Sequence, residues 1–203
     1  MKIFGIGHNY KKHIAELGSA IPTEPVVFSK PDTAILRNND AFYIPSFTDN
    51  VHHEIEVVIK ICKVGKNISH EFAPLYYKEI GLGIDFTARD VQQKLKEKGL
   101  PWDLAKGFNG SAPISKFIPL SSVDDLQNLD FRLEINGETR QIGNTSDMIF
   151  DVNELIVFLS KYFTLKTGDL IFTGTPQGVG KVSVGDRLAG YLGDNKMLDF
   201  NVK

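Results

Sequence analysis

The sequence predicts a mainly β chain of the α+β class, a mixed β-sandwich roll with a few short helices. Three observations carry that reading. Short runs rich in Ile, Val and Phe recur between Gly, Pro, Asn and Asp turn signals. The pair Asn136-Gly137 is a strong two-residue hairpin signal between alternating segments. Only about three stretches carry helical spacing, too few to cover a parallel sheet. No linker divides the 203 residues, so positions 1–203 read as one domain with a sizeable core.

The elements follow in order. Ile3–Gly7 reads as a short strand ending in glycine. Tyr10, Ile14 and Leu17 repeat at helical spacing, with Gly18 as the stop. Val26-Val27-Phe28 reads as a strand, and Phe42-Tyr43-Ile44-Pro45 as an edge strand, because proline cannot donate to a ladder. His52–Ile61 reads as one continuous strand. In residues 67–80 the stripe Ile68, Phe72, Leu75, Tyr76 and Ile80 suggests a helix, which Pro74 restricts to a late start. Asp90–Lys98 reads as a charged surface helix ended by Gly99 and Pro101, and residues 102–113 as a loop anchored by Trp102. The hairpin spans 129–142. Leu155, Ile156, Phe158 and Leu159 mark an amphipathic helix over 151–163, with Asp151 or Ser146 capping its approach. Leu170–Thr173 is a buried strand, and 181–203 is β-like with turns at Gly185-Asp186 and Gly193-Asp194.

Composition narrows the function. Hydrophobic residues make up 42% and charged residues 24%, as in ordinary globular chains. A net charge of -2 speaks against a nucleic-acid binder, though not against a local basic patch. No run approaches the ~20 apolar residues of a membrane span. Met1–His8 is too short in apolar residues for a signal peptide. The single cysteine, Cys62, cannot close an internal disulfide and reads as a small buried hydrophobe. The expected location is the cytoplasm.

Candidate chemistry centres on Glu54 and Glu56. Residues two apart on a strand share a face, so both carboxylates point the same way, with Ile55 opposite. Paired carboxylates in an apolar strand repel and resist burial, and a divalent cation between them resolves both problems. A solvated strand face is the plainer alternative. Asp85 breaks a second apolar run where a strand would end, and adds a third carboxylate. Three hard oxygen ligands without a Cys or His pair suit magnesium, manganese or calcium better than zinc. His13 and Glu16, three apart, share a helix face, where a carboxylate can orient an imidazole as a base. On spacing alone an ordinary exposed surface pair is the favoured reading of them, and Lys30 likewise reads as solvent-facing. The turn Gly174–Gly180 lacks the Gly-Lys-Ser/Thr of a phosphate loop, but could offer N–H groups and the Thr175 hydroxyl to an anion.

Together these motifs resemble the fumarylacetoacetate hydrolase family over nearly the full length, closest to its single-domain acylpyruvate hydrolase and oxaloacetate decarboxylase branch. The resemblance rests on Gly7–His13, Lys30-Pro31, His52–Glu56, Asp85–Gln92, Gly99–Lys106 and Thr173–Gly180, six motifs in the family's order. It implies the family's β-sandwich roll and a homodimer. It implies that Glu54, Glu56 and Asp85 hold magnesium or manganese, with calcium as a substitute in crystals. Lys106 then faces the substrate oxygens, and His13 and Glu16 form a water-activating dyad on a mobile lid, about residues 8–20. Lys30, Arg89, Gln92 and Thr175 surround the substrate, a small 2-oxo or β-diketo acid. The implied activity is metal-dependent C–C cleavage, either acylpyruvate hydrolysis or oxaloacetate decarboxylation. A dienedioate isomerase or decarboxylase, a related tautomerase or hydratase, and a catalytically idle metal-binding dimer are the alternatives. Gly107 stands where relatives commonly carry serine, and Gln177 where lysine is common. No feature points to nucleic acid or membrane.

Overall fold

Apolar side chains on both faces of Ile55–Ile61 can be satisfied only if both faces are covered. In the computed structural model, which describes residues 1–16 and 20–203, this strand lies inside a six-stranded sheet. Tyr77–Ile84 and Leu170–Phe172 flank it antiparallel. Outward from Leu170–Phe172 come Ile3–Gly7, which runs parallel to it, and Val26–Lys30 at the edge; Ile118–Pro119 closes the other side. A second, four-stranded antiparallel sheet has the order Glu138–Asn144, Asp130–Ile135, Arg187–Leu192, Asn195–Asn201.

The main core fills with Val57, Ile59, Leu82 and Ile84 of the first sheet and Phe131, Leu133, Leu188 and Phe200 of the second. A smaller cluster, Ile3, Val58, Leu170 and Phe172 among it, covers the opposite face. Helix Val152–Tyr162 buries Leu155, Ile156 and Leu159. Its start is fixed by a capping box, in which Asp151 accepts from the Glu154 N–H and Glu154 from the Asp151 N–H. The hairpin forms over Asn136-Gly137, both with positive φ (55° and 81°), as a type I′-like turn requires. The mixed roll of the sequence prediction is therefore present.

Several local expectations need correction. Residues His70–Tyr76 form a 3₁₀ segment and Tyr77–Ile84 a strand, so Ile80 pairs with Ile59 rather than completing a helix. Pro74 lacks the N–H an α-helix needs there, and Phe72 and Leu75 are exposed. The strand expected over His52–Ile61 breaks at Glu54: Val51–His53 joins a small sheet with Thr87–Ala88 and Gly180–Lys181. Phe42 makes only an isolated bridge with Val202. A short helix, Asp103–Lys106, interrupts the expected loop. Ser146 caps nothing in the 152–162 helix, where Asp151 does. Cys62 is half-buried rather than buried, at the strand's end. The helix near the N-terminus runs Lys11–Glu16; Leu17 and Gly18, its expected apolar position and stop, lie outside the described residues.

Candidate active site

The break at Glu54 sets the floor of the site. Asp85 directly follows Tyr77–Ile84, and its N–H donates to the Glu54 carbonyl at 2.8 Å, knitting the two chain segments together. One carboxylate oxygen each from Glu54, Glu56 and Asp85 lies within 4.8 Å of the others, and all three residues are buried. Lys106, last in its short helix, bridges two of them: Nζ donates to Glu54 Oε2 at 2.7 Å and Asp85 Oδ2 at 2.6 Å. Lys30 is buried, against the solvent-facing expectation. Strand alternation turns it inward at the sheet edge, where Nζ sits 2.6 Å from Asp85 Oδ1 and donates to the Ser111 carbonyl and hydroxyl, each at 3.1 Å. Arg89 donates to Glu54 Oε1 and, at 2.8 Å, to Gln92 Oε1.

These partners divide the carboxylates by charge state. Burial pushes the Glu54 carboxyl up, but the Lys106 and Arg89 cations outweigh it and hold Glu54 well below the usual range. Glu56 has no cation beside it; burial, then the charges of Asp85 and Glu54, push its carboxyl well above that range. Its Oε2 accepts only the Gly174 N–H, at 2.7 Å. Lys106 loses some basicity to burial and gains more from Asp85 and Glu54, so its amine ends above the ordinary value.

The donor set fits a divalent cation. Three hard carboxylates converge, one of them without a positive partner. Asp85 Oδ1 is buried with Lys30 Nζ 2.6 Å away as an ion-pair partner and no well-aligned hydrogen-bond donor on it.

The opposite wall is built by the N-terminal segment and the helix Arg89–Glu97. His13 is buried, which sets aside the exposed-pair reading, and its Nδ1 lies 3.0 Å from Glu16 Oε2. Glu16 also accepts the Gly178 N–H at 3.1 Å. With Nδ1 directed at Glu16, Nε2 is left to act on a substrate. His13, Glu54, Asp85, Arg89, Gln92 and Lys106 line one narrow cleft with His8, Lys96 and Trp102. Its volume is about 20 Å³, room for roughly one water. A wider groove of about 900 Å³, lined by Met1, Phe4, Leu100, Leu104 and Phe163, contains none of the three carboxylates.

Thr175 is buried outside the lining of this cleft. Its hydroxyl donates to the Ile55 carbonyl at 2.7 Å and accepts from Gln141 Nε2 at 2.9 Å, so the hydroxyl is engaged within the fold.

Three residues gain roles that the sequence reading did not give them. Gln141, read only as part of the hairpin, is buried and joins three elements. Its Oε1 accepts the Ile55 N–H at 3.0 Å and faces His53 Nδ1 at 2.9 Å, while Nε2 donates to Thr175 and to the Pro176 carbonyl. Lys96, read as part of a surface helix, lines the cleft. Its spacing from Arg89 and Gln92 puts all three on one helix face, a signal that was available. His8 lines the cleft with φ of 58°, a left-handed conformation no sequence signal announced.

The family pattern described as "Fumarylacetoacetate (FAA) hydrolase C-terminal" matches residues 2–200. The chain is 42% identical to "Oxaloacetate tautomerase FAHD1, mitochondrial" of Bos taurus, over 98% of this chain and 90% of that protein. It is 45% identical to "Oxaloacetate tautomerase YcgM" of Escherichia coli K12, over 92% and 86%. The crystal structure of fumarylpyruvate hydrolase from Pseudomonas aeruginosa, in complex with Mn2+ and pyruvate, superposes with a TM-score of 0.94 at 36% identity, covering 100% of this chain and 89% of that one.

Proposed function

Because the chain belongs to the fumarylacetoacetate hydrolase family, we propose that it is a divalent-cation-dependent enzyme that cleaves a C–C bond in small oxo acids, by acylpyruvate hydrolysis, oxaloacetate decarboxylation or both. The observation that carries the reading is the convergence of Glu54, Glu56 and Asp85, two of which line one cleft with His13, itself paired with Glu16. Magnesium or manganese is the proposed cation, in keeping with three hard oxygen donors.

A bound cation supplies Lewis-acid charge to the α-oxo and carboxylate oxygens of the substrate. The chain's own residues do the rest. Lys106 adds fixed positive charge where the oxo oxygen gains electron density as the C–C bond breaks. Arg89 and Lys106 keep Glu54 ionised. Arg89 and Gln92, linked to each other, position the substrate's polar groups, and Lys30 fixes Asp85 from behind. Thr175 acts by holding the 174–178 turn against Ile55. For an acylpyruvate, His13 Nε2 takes a proton from water as the oxygen attacks the distal carbonyl. The bond between that carbonyl and the pyruvate methylene then breaks, its electron pair passing to the oxo oxygen as the pyruvate enolate; the proton held by His13 returns to the methylene carbon, leaving a carboxylic acid and pyruvate. For oxaloacetate, carbon dioxide departs with no attacking water, so His13 is dispensable to the bond cleavage. A cleft with room for about one water must widen before either acid enters, which makes the segment around His8–Glu16 the proposed moving wall.

A second reading is favoured by the names of the bovine and Escherichia coli relatives: keto–enol interconversion of oxaloacetate. The same charge stabilisation serves it, with His13 moving the proton at the carbon next to the oxo group. We further propose that residues 1–203 work as one catalytic domain, as a homodimer, in the cytoplasm.

The test follows ultraviolet absorbance of acetylpyruvate and oxaloacetate with magnesium, with and without EDTA, beside an assay for pyruvate. EDTA-sensitive loss of either substrate with matching pyruvate supports cleavage. Accelerated decay of the oxaloacetate enol without pyruvate selects tautomerisation. No change in either acid refutes both.

A further inference from the structure

The cleft holds one more positive side chain than its carboxylates account for. Lys30, Arg89, Lys96 and Lys106 stand around Glu54, Glu56 and Asp85. Lys30 pairs with Asp85, Arg89 with Glu54, and Lys106 with both. Lys96 alone of the four has no carboxylate within ion-pair distance among the described residues. A divalent cation at the three carboxylates would widen the positive excess.

Lys96 is also held in place. It sits seven residues after Arg89 and four after Gln92, so the three form one stripe along the helix facing the cleft. Its ammonium lies 4.9 Å over the centre of the Trp102 ring, which is itself braced by Phe28 and His8. Lys96 is exposed at the mouth of the cleft, but its amine stands close to Trp102, Arg89 and Lys106, and partial desolvation there, then those cations, lower its basicity. An ammonium fixed over Trp102 at the mouth of the cleft, beside two other cations and without a carboxylate partner, is free to take an anionic group of a ligand. The neighbouring His8 cannot supply it, since burial and Lys96 both disfavour its charged form and imidazole carries no negative charge.

Accepting the oxo-acid reading above, on which this step rests, we propose that Lys96 is a specificity-determining residue that binds a second, distal carboxylate, so that the preferred ligands are dicarboxylic oxo acids. The α-oxo acid end lies at the Glu54–Glu56–Asp85 floor beside Lys106, and the chain of the ligand runs along the Arg89–Gln92–Lys96 stripe. The stripe spans about 10 Å at 1.5 Å per residue, and flexible side chains shorten it. Ligands of differing length can therefore present their far carboxylate to the same ammonium.

The test measures binding without turnover. Two inert acids, 2-oxoglutarate and its methyl-capped counterpart 2-oxovalerate, are titrated calorimetrically into manganese-loaded wild-type protein, Lys96→Met and Lys96→Arg. Lys96→Met keeps an apolar stem against Trp102, and circular dichroism checks that it folds. Wild type should prefer the dicarboxylate by about tenfold or more, the scale of one charge-assisted hydrogen bond. Lys96→Met should bring the ratio of the two affinities close to one, and Lys96→Arg should restore most of it. Binding of both acids with no preference in wild type, or a preference that persists in Lys96→Met, overturns the proposal and leaves the oxo-acid reading standing. Failure of both acids to bind removes the oxo-acid reading and the proposal together. A misfolded Lys96→Met is replaced by Lys96→Gln, judged by the same ratio.

Discussion

The floor and the far wall of the cleft are built on different principles. On the floor, Glu54, Asp85, Lys30 and Lys106 lie on a sheet and a short helix packed against it, and their charges cross-brace one another at 2.6–2.7 Å. Across from them, His13 and Glu16 sit on a six-residue helix that packs by Ile14 and His13 and, among the described residues, takes one hydrogen-bond donor from beyond its own segment, the Gly178 N–H. Lys96 there leans on Trp102 alone. Buried ion pairs in a rigid frame hold ligand atoms in place before the cation arrives, while a short helix with few ties can swing aside. In the proposed mechanism the floor supplies fixed charge, and the wall supplies access and proton transfer. The 174–178 turn joins the two halves, giving one N–H to Glu56 on the floor and another to Glu16 on the wall.

Variants on the two sides should break differently. The largest effect is expected from Glu56→Ala, which removes a cation ligand and should abolish turnover of acetylpyruvate and oxaloacetate alike, assayed with excess magnesium. Next comes Lys30→Met. It removes one of the two ammonium partners of the buried Asp85 carboxylate, Lys106 remaining as the other, and takes a donor from the Ser111 carbonyl; the expected cost is about 1–3 kcal/mol. Urea unfolding should show that loss as a lower midpoint with an unchanged slope. A smaller and more selective effect should follow His13→Ala: about 10²-fold or more on acylpyruvate cleavage, the scale of general-base catalysis, with little change in melting temperature. Equal losses on acetylpyruvate and oxaloacetate decarboxylation would erase the division between floor and wall. Gln141→Leu strands the Ile55 N–H and the Pro176 carbonyl, and should cost about 1–3 kcal/mol for each group left unpaired. Because it loosens the joining turn, it should weaken manganese affinity and slow the His13-dependent step together, whereas a purely structural loss would move stability alone. Exposed Gln93→Ala, on the same helix as Lys96 but outside the cleft lining, should stay within about 0.5 kcal/mol of wild type.

Much of this was legible in the chain. The alternation that put Glu54 and Glu56 on one face survives the strand break between Val51–His53 and Ile55–Ile61, because the bend keeps both carboxylates turned toward Asp85. Asn136-Gly137 and the cap at Asp151, one of the two candidates, are local signals, and both are present. What escaped depends on partners distant in sequence. Lys30 looked solvent-facing because its anion is 55 positions away, and Gln141 looked like hairpin filler because its four partners come from three other segments. The 67–80 stripe misled for a different reason: Ile80 serves strand pairing with Ile59, and tertiary pairing overrode the helical spacing. His13 and Glu16 fell between these cases, since spacing placed them together and only the fold could bury one of them.

The measurement that bears most directly on the floor is a calorimetric titration of manganese into the wild-type protein, Glu56→Ala and Lys96→Met. One site per chain should appear in wild type and in Lys96→Met and disappear in Glu56→Ala. Undiminished manganese binding by Glu56→Ala, correctly folded, would contradict the assignment of the cation to the three carboxylates.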